Sequence, residues 1–138
     1  MSRYAARTRV PVEKSRIEIE RIIQRYKADQ FGTAMAADKA MVQFRLNQWT
    51  VRFILPLPRT DEQDRRQRWR ALCLTIKAKL EAVESKIVSF ETEFLPHLVM
   101  PSGQTFGEWA VPQLEEMREQ GKLPQIDILA IEDRRRER

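Results

Sequence analysis

From Lys39 to Leu55 the chain alternates apolar and polar side chains in two runs that meet at Asn47-Gln48. Closing a two-residue turn at that dipeptide, where Asn tolerates positive φ, sets Leu46 opposite Trp49 and Phe44 opposite Val51. Val42 then faces Phe53, and Ala40 faces Leu55, so one face of the hairpin is wholly apolar. The other face pairs Arg45 with Thr50, Gln43 with Arg52, and Met41 with Ile54. A slip of one residue would exchange the two faces, so the pattern fixes the register. A preceding strand, Gln30–Ala36, joins through Ala37-Asp38 and adds Phe31, Thr33 and Met35 to the apolar face. The expectation is a three-stranded antiparallel meander over Gln30–Ala36, Lys39–Leu46 and Gln48–Leu55.

Helical periodicity flanks this sheet on both sides. In Val12–Lys27 the residues Val12, Ile19, Ile22, Ile23 and Tyr26 form one stripe. Lys14, Arg21 and Arg25 lie on another face with Glu18, which pairs at helical spacing with Lys14 and Arg21 and marks that face as solvated. Pro56-Leu57-Pro58 ends the third strand, because proline donates nothing to a ladder. Thr60-Asp-Glu-Gln63 then has capping-box spacing, with Asp61, Glu62 and Asp64 suited to the positive end of a helix dipole.

Beyond it, Trp69, Cys73, Ile76, Leu80, Val83, Ile87, Phe90 and Phe94 alternate steps of four and three, the seam of a long packed helix. Asp61 to Phe94 as one straight helix would be roughly 50 Å long. A domain of this length has a diameter of only about 35–40 Å. The helix therefore bends, breaks, or has its far half covered by the C-terminal segment or a second copy of the chain. Pro96 ends it, and Leu98-Val99-Met100 reads as a short extended piece. Thr105-Phe-Gly-Glu108 opens a further helix with Trp109, Leu114 and Met117, which Pro112 should kink or restart and Gly121 and Pro124 close. Gln125–Ile131 reads as an added strand or a partner-binding tail, and the Arg-rich end, residues 133–138, as disordered.

The fold class is α+β: an N-terminal helix, a three-stranded antiparallel meander, a long amphipathic helix and a C-terminal helical segment. Residues 1–11 form a basic arm, 12–124 a single domain and 125–138 a tail. No apolar run approaches the roughly 20 residues a membrane span needs, so no membrane partner is expected.

The 138 residues carry a net charge of +5, unevenly spread. Residues 1–60 hold twelve Lys and Arg against five acids, whereas residues 96–138 hold six against eight. A basic front half suits a polyanionic partner. The run Arg65-Arg66-Gln67-Arg68-Trp69-Arg70 concentrates four guanidinium groups on two helical turns. Trp69 enters the seam and leaves the arginines around the outside, with Arg66 and Arg70 on the face of Lys77. Guanidinium forks match phosphate geometry. Arg45 and Arg52 stand on the polar sheet face. The candidate nucleic-acid contacts are therefore Arg45, Arg52, Arg65, Arg66, Arg68, Arg70 and Lys77. The partner is a nucleic acid, DNA foremost, read with low sequence specificity.

Catalytic chemistry is not assembled. His97 is the only histidine, and the single Cys73 lies within the apolar seam, so no Cys–His nucleophile pair and no thiolate zinc site is expected. Asp61, Glu62 and Asp64 are explained by capping, and four glycines at 32, 103, 107 and 121 form no phosphate loop. No catalytic residue, metal or cofactor is implied, and the chain reads as a binding protein, not an enzyme. The alternative is a non-enzymatic protein-interaction module, either a homo-oligomer completed along the long seam or an inhibitor of another protein.

The stretches VEKSRIEIERIIQRY, ADQF, VRFILPLP, RWRALCLTIKAKLEAVES and FLPHLVMPSGQTFGEW resemble an uncharacterised family of small proteins encoded by bacteriophages and prophages. The resemblance runs from about Val12 to Pro124 and carries no assigned activity or functional residue. It implies a mobile-element origin, the cytoplasm of a bacterial host, and an accessory role in DNA replication, recombination or host-defence evasion. The strand–strand–strand–helix order is also similar to the core of phage-type single-strand annealing proteins, a likeness of topology alone.

Overall fold

The computed structural model describes residues 8–57 and 61–124. The residues before Thr8, Thr60, the Gln125–Ile131 segment and the Arg-rich end lie outside the described residues, and with them the expectations made for the arm and the tail. The order is α1 (Val12–Arg25), β1 (Gln30–Met35), β2 (Lys39–Leu46), β3 (Trp49–Pro56), α2 (Glu62–Glu84) and α3 (Phe90–Phe94). A 3-10 turn, Leu95–His97, and α4 (Phe106–Glu119) follow. The class is α+β, with a three-stranded antiparallel sheet in the order β1-β2-β3. The contacts divide after Glu108 into two compact units. Among the described residues no helix is long and apolar enough to cross a membrane.

The hairpin register is the expected one in every pair, from Leu46 opposite Trp49 to Ala40 opposite Leu55. Asn47 at φ 53° and Gln48 at φ 69° supply the two left-handed residues that a right-twisted hairpin requires. The β1–β2 connection closes on two residues, with the Ala36 N–H donating to the Lys39 carbonyl at 2.8 Å. Ala40, Val42, Phe44, Leu46, Val51 and Phe53 line the buried sheet face, against Ile19, Ile22 and Ile23 of α1 and Trp69, Leu72, Cys73, Ile76 and Leu80 of α2.

α1 and α2 run parallel. Glu18 bonds to Arg70 partway along each, and the Tyr26 hydroxyl donates to Glu84 at 2.6 Å near their ends. That bond to a carboxylate pushes the Tyr26 phenol above its ordinary pKa. α1 stops two residues short of the expected Lys27. The Lys27 N–H bonds the Gln24 carbonyl and the Ala28 N–H bonds that of Ile23, with Lys27 at φ 68°. This is the paired-bond ending usually built on glycine.

The same ending breaks the long helix. Lys86 stands at φ 63°, its N–H on the Val83 carbonyl and the Ile87 N–H on that of Ala82. The chain re-enters a helix at α3, capped by Ser89, whose side chain accepts the Thr92 N–H at 3.1 Å. The seam closes within one chain: Phe90 and Phe94 fold back into the core, and Lys79 on α2 bridges to Glu93 on α3 at 3.0 Å. Ile87 is a correction to the expected seam, being 82% exposed at the break. Because left-handed backbone is strained for lysine and free of strain for glycine, Lys86→Gly is expected to raise stability by about 0.5–1 kcal/mol in urea unfolding. A true mid-helix glycine would lower it by a similar amount.

Asp61 is the N-cap of α2, and its carboxylate accepts the Gln63 N–H at 2.8 Å. At α4 the capping box is complete. The Thr105 N–H donates to Glu108 Oε1 at 3.1 Å, and the Glu108 N–H donates to Thr105 Oγ1 at 3.2 Å. These bonds hold the Glu108 carboxyl below the usual carboxylate range. α4 continues through Pro112 without a second start. Leu98 bridges Val51 at the outer edge of β3, as the expected extended piece would.

Candidate nucleic-acid interface

The seven cationic residues singled out by sequence do not form one patch. On the sheet, Arg45 lies 3.7 Å from Asp29, while Arg52 donates from Nε to Gln43 Oε1 at 3.0 Å and from Nη1 to the Gly103 carbonyl at 2.8 Å. The cross-strand neighbour and the loop beyond α3 thus fix Arg52 in place.

The Arg65–Arg70 run divides three ways. Arg65 Nη2 donates to the Ala37 carbonyl and Arg68 Nη1 to the Pro56 carbonyl, each at 3.2 Å. These two arginines clip the first turns of α2 to the end of the sheet. Arg66 pairs with Glu62 one turn back at 3.3 Å. Arg70 turns to α1 and holds the Glu18 carboxylate. Lys77 is exposed one face-repeat further along α2.

Bringing α1 beside α2 assembles a site that the sequence reading missed. Val10, Lys14, Ile17, Glu18, Arg21, Arg25 and Arg70 line an open groove of about 660 Å³. On α1 its cations recur at steps of seven and four, and on α2 Arg66, Arg70 and Lys77 recur at four and seven. That shared spacing is the signal available in the sequence. What hid it was Glu18, which was expected to neutralise Lys14 and Arg21 on its own helix. Glu18 instead pairs across to Arg70, and Arg16 takes Glu13 at 3.0 Å. Among the described residues no ion pair engages Lys14, Arg21, Arg25 or Lys77. Of the four cations lining the groove, Arg70 is matched by its one carboxylate, which leaves Lys14, Arg21 and Arg25 in excess. From Lys14 to Arg25 it extends about 16 Å, the axial rise of roughly five base pairs.

Beneath the groove Cys73 is buried, and burial pushes its thiol up to about 11, with Glu18 adding to the rise and Arg70 and Lys77 opposing it. It stays a protonated core side chain at neutral pH. His97 stacks on Phe53 with ring centres 4.1 Å apart. Burial pulls the imidazole below its ordinary 6.5, helped by the Lys79 charge and opposed by the Arg52 backbone and Glu93. The folded chain therefore binds fewer protons here than the unfolded chain below about pH 6.5. Stability is lost as pH falls through that range. In thermal melts from about pH 7 to 5, His97→Gln is expected to flatten the loss relative to wild type. Among the described residues no group of three or more His, Cys, Asp or Glu is disposed to hold a metal ion.

Comparison with protein-family models, with curated proteins and with solved structures finds no match. The resemblance to small phage-encoded proteins stays an expectation carried by its quoted motifs.

Proposed function

We propose that the chain is a nucleic-acid-binding protein that seats a phosphate backbone in the groove between α1 and α2. The reading is carried by the alignment of Lys14, Arg21, Arg25 and Arg70 along one open groove whose single acid, Glu18, is neutralised from within. Lys77 extends the same face. Arg3, Arg7 and Arg9 precede Val10, which itself lines the groove, so more positive charge enters the chain at that end. The contacts offered are to phosphate, which positions a protein without reading bases, so low sequence specificity follows. A role as an accessory factor of a phage or mobile element, with DNA as the partner, is consistent with this chemistry.

The test is fluorescence anisotropy with labelled single- and double-stranded DNA and RNA across a salt series. Each phosphate neutralised contributes about −0.9 to the slope of log K against log salt on duplex DNA. A groove using three or four cations therefore predicts a slope of roughly −3. A slope near zero, or no binding at low salt, overturns the reading.

A protein-interaction role is the second reading, favoured by α4. In the second unit Trp109, Val111, Leu114, Met117 and Leu123 are all exposed, beside Glu115, Glu116 and Glu119. An apolar helix surface rimmed by acids suits a protein partner, whether a host protein or another copy. The same anisotropy experiment separates the two, because only the first requires salt-sensitive binding.

A further inference from the structure

We propose that β1 is a homodimer edge, along which two copies of the chain join their sheets into one six-stranded antiparallel sheet. The proposal does not rest on the nucleic-acid reading. Of the two sheet edges, the chain covers one itself: Leu98 bridges Val51, and the Val99 N–H donates to the Thr50 carbonyl at 2.9 Å. The other edge is β1, and among the described residues no strand pairs with its outer side. Exposed edges are ordinarily guarded by lysine, proline or a bulge, since bare N–H and C=O groups template pairing with another chain. Gln30-Phe-Gly-Thr-Ala-Met35 contains neither a charge nor a proline.

The phase of the ladder says which groups are bare. The Ala36 N–H bonds the Lys39 carbonyl, so the alternate residues Ala34, Gly32 and Gln30 also turn their peptide groups toward β2. Phe31, Thr33 and Met35 turn theirs outward. Three outward residues centred on Thr33 are complementary to themselves under a two-fold axis. Thr33 meets Thr33 of the second copy, and Phe31 meets the second copy's Met35 on both sides. That register makes on the order of six new backbone hydrogen bonds.

Side chains agree with this register on both faces. On the core side, Phe31 is half-buried and Met35 is 52% exposed, and each would cover the other across the axis. On the outer side Gly32 meets Ala34, and a Cβ at Gly32 would have nothing within 4 Å, so nothing bulky intervenes.

The experiment is sedimentation of the full chain from low to tens of micromolar, with hydrogen exchange on the same samples. The expected mass at the upper end is twice 16.4 kDa, with the Phe31, Thr33 and Met35 amides losing protection on dilution. Thr33→Pro removes an outward N–H, and proline is tolerated on an edge strand in that orientation. It is expected to be monomeric with unchanged circular dichroism. Met35→Lys, at a side chain already half in solvent, places an ammonium group against the second copy's Phe31 and is expected to weaken dimerisation at least about tenfold. If Thr33→Pro does not fold, Met35→Lys alone decides. A wild-type chain that stays monomeric at tens of micromolar, or folded variants that dimerise like wild type, overturns the proposal.

Discussion

Phe94→Ala is expected to cost about 3–5 kcal/mol of folding stability, whereas Ile87→Ala on the same sequence seam should change it by less than about 0.5 kcal/mol. Phe94 is fully buried and sits at the meeting point of three rings. Phe44 and Phe53 approach it edge-on at 6.3 and 6.4 Å, and Phe90 stacks on it at 4.6 Å. The Lys79 ammonium lies 5.8 Å from its ring centre. Deleting the ring leaves a cavity between the sheet and α3 that rigid neighbours fill poorly. It also removes edge-to-face contacts worth about 0.5–1.5 kcal/mol each beyond their area, a sum that is not additive. For a domain with about 5–15 kcal/mol in total, that is about a fifth of its stability or more, read as a fall of roughly 10 °C or more in Tm. Ile87 loses nothing comparable, since it is already in solvent at the break. Equal costs at the two positions would mean that α2 runs on through residue 87 and packs its whole seam.

Those two positions also show what in this chain was legible. A period of two is self-checking: with Asn47-Gln48 as the turn, every second pair from Ala40–Leu55 to Leu46–Trp49 must be apolar at once, and a slip fails at all of them. A seam of fours and threes carries no such check on continuity. Trp69 to Leu80 and Phe90 to Phe94 are both core, yet the spacing cannot register that the helix stopped between them. The stop itself had no signature, because Lys27 and Lys86 occupy left-handed positions where the usual sign is glycine. At Gly121, where the chain does use glycine at φ 69°, the end of α4 was readable. The candidate site was least legible of all. Which carboxylate an arginine meets is a tertiary fact, and Glu18 bonding Arg70, 52 residues away in sequence, reversed the reading of both helices.

Reversing Arg21 and Arg25 together to Glu is therefore expected to weaken nucleic-acid binding by roughly 100-fold at moderate salt and to flatten the log–log salt slope by about two. Both side chains are exposed on α1, away from the core stripe of Ile19, Ile22 and Ile23, so circular dichroism and Tm should stay near wild type. Arg68→Gln is the informative contrast. Arg68 was as strong a phosphate candidate from sequence, but its guanidinium donates to the Pro56 carbonyl. Removing that bond should cost about 1 kcal/mol of stability and leave the affinity of the folded protein within a fewfold of wild type. The two variants thus move different observables. Should Arg68→Gln instead lose affinity while Arg21→Glu/Arg25→Glu retains it, the interface is the first two turns of α2 and not the groove. In that case the carbonyl contacts of Arg65 and Arg68 must be surrendered when phosphate binds, which predicts that binding loosens the junction of α2 with the sheet and speeds exchange of the β3 amides.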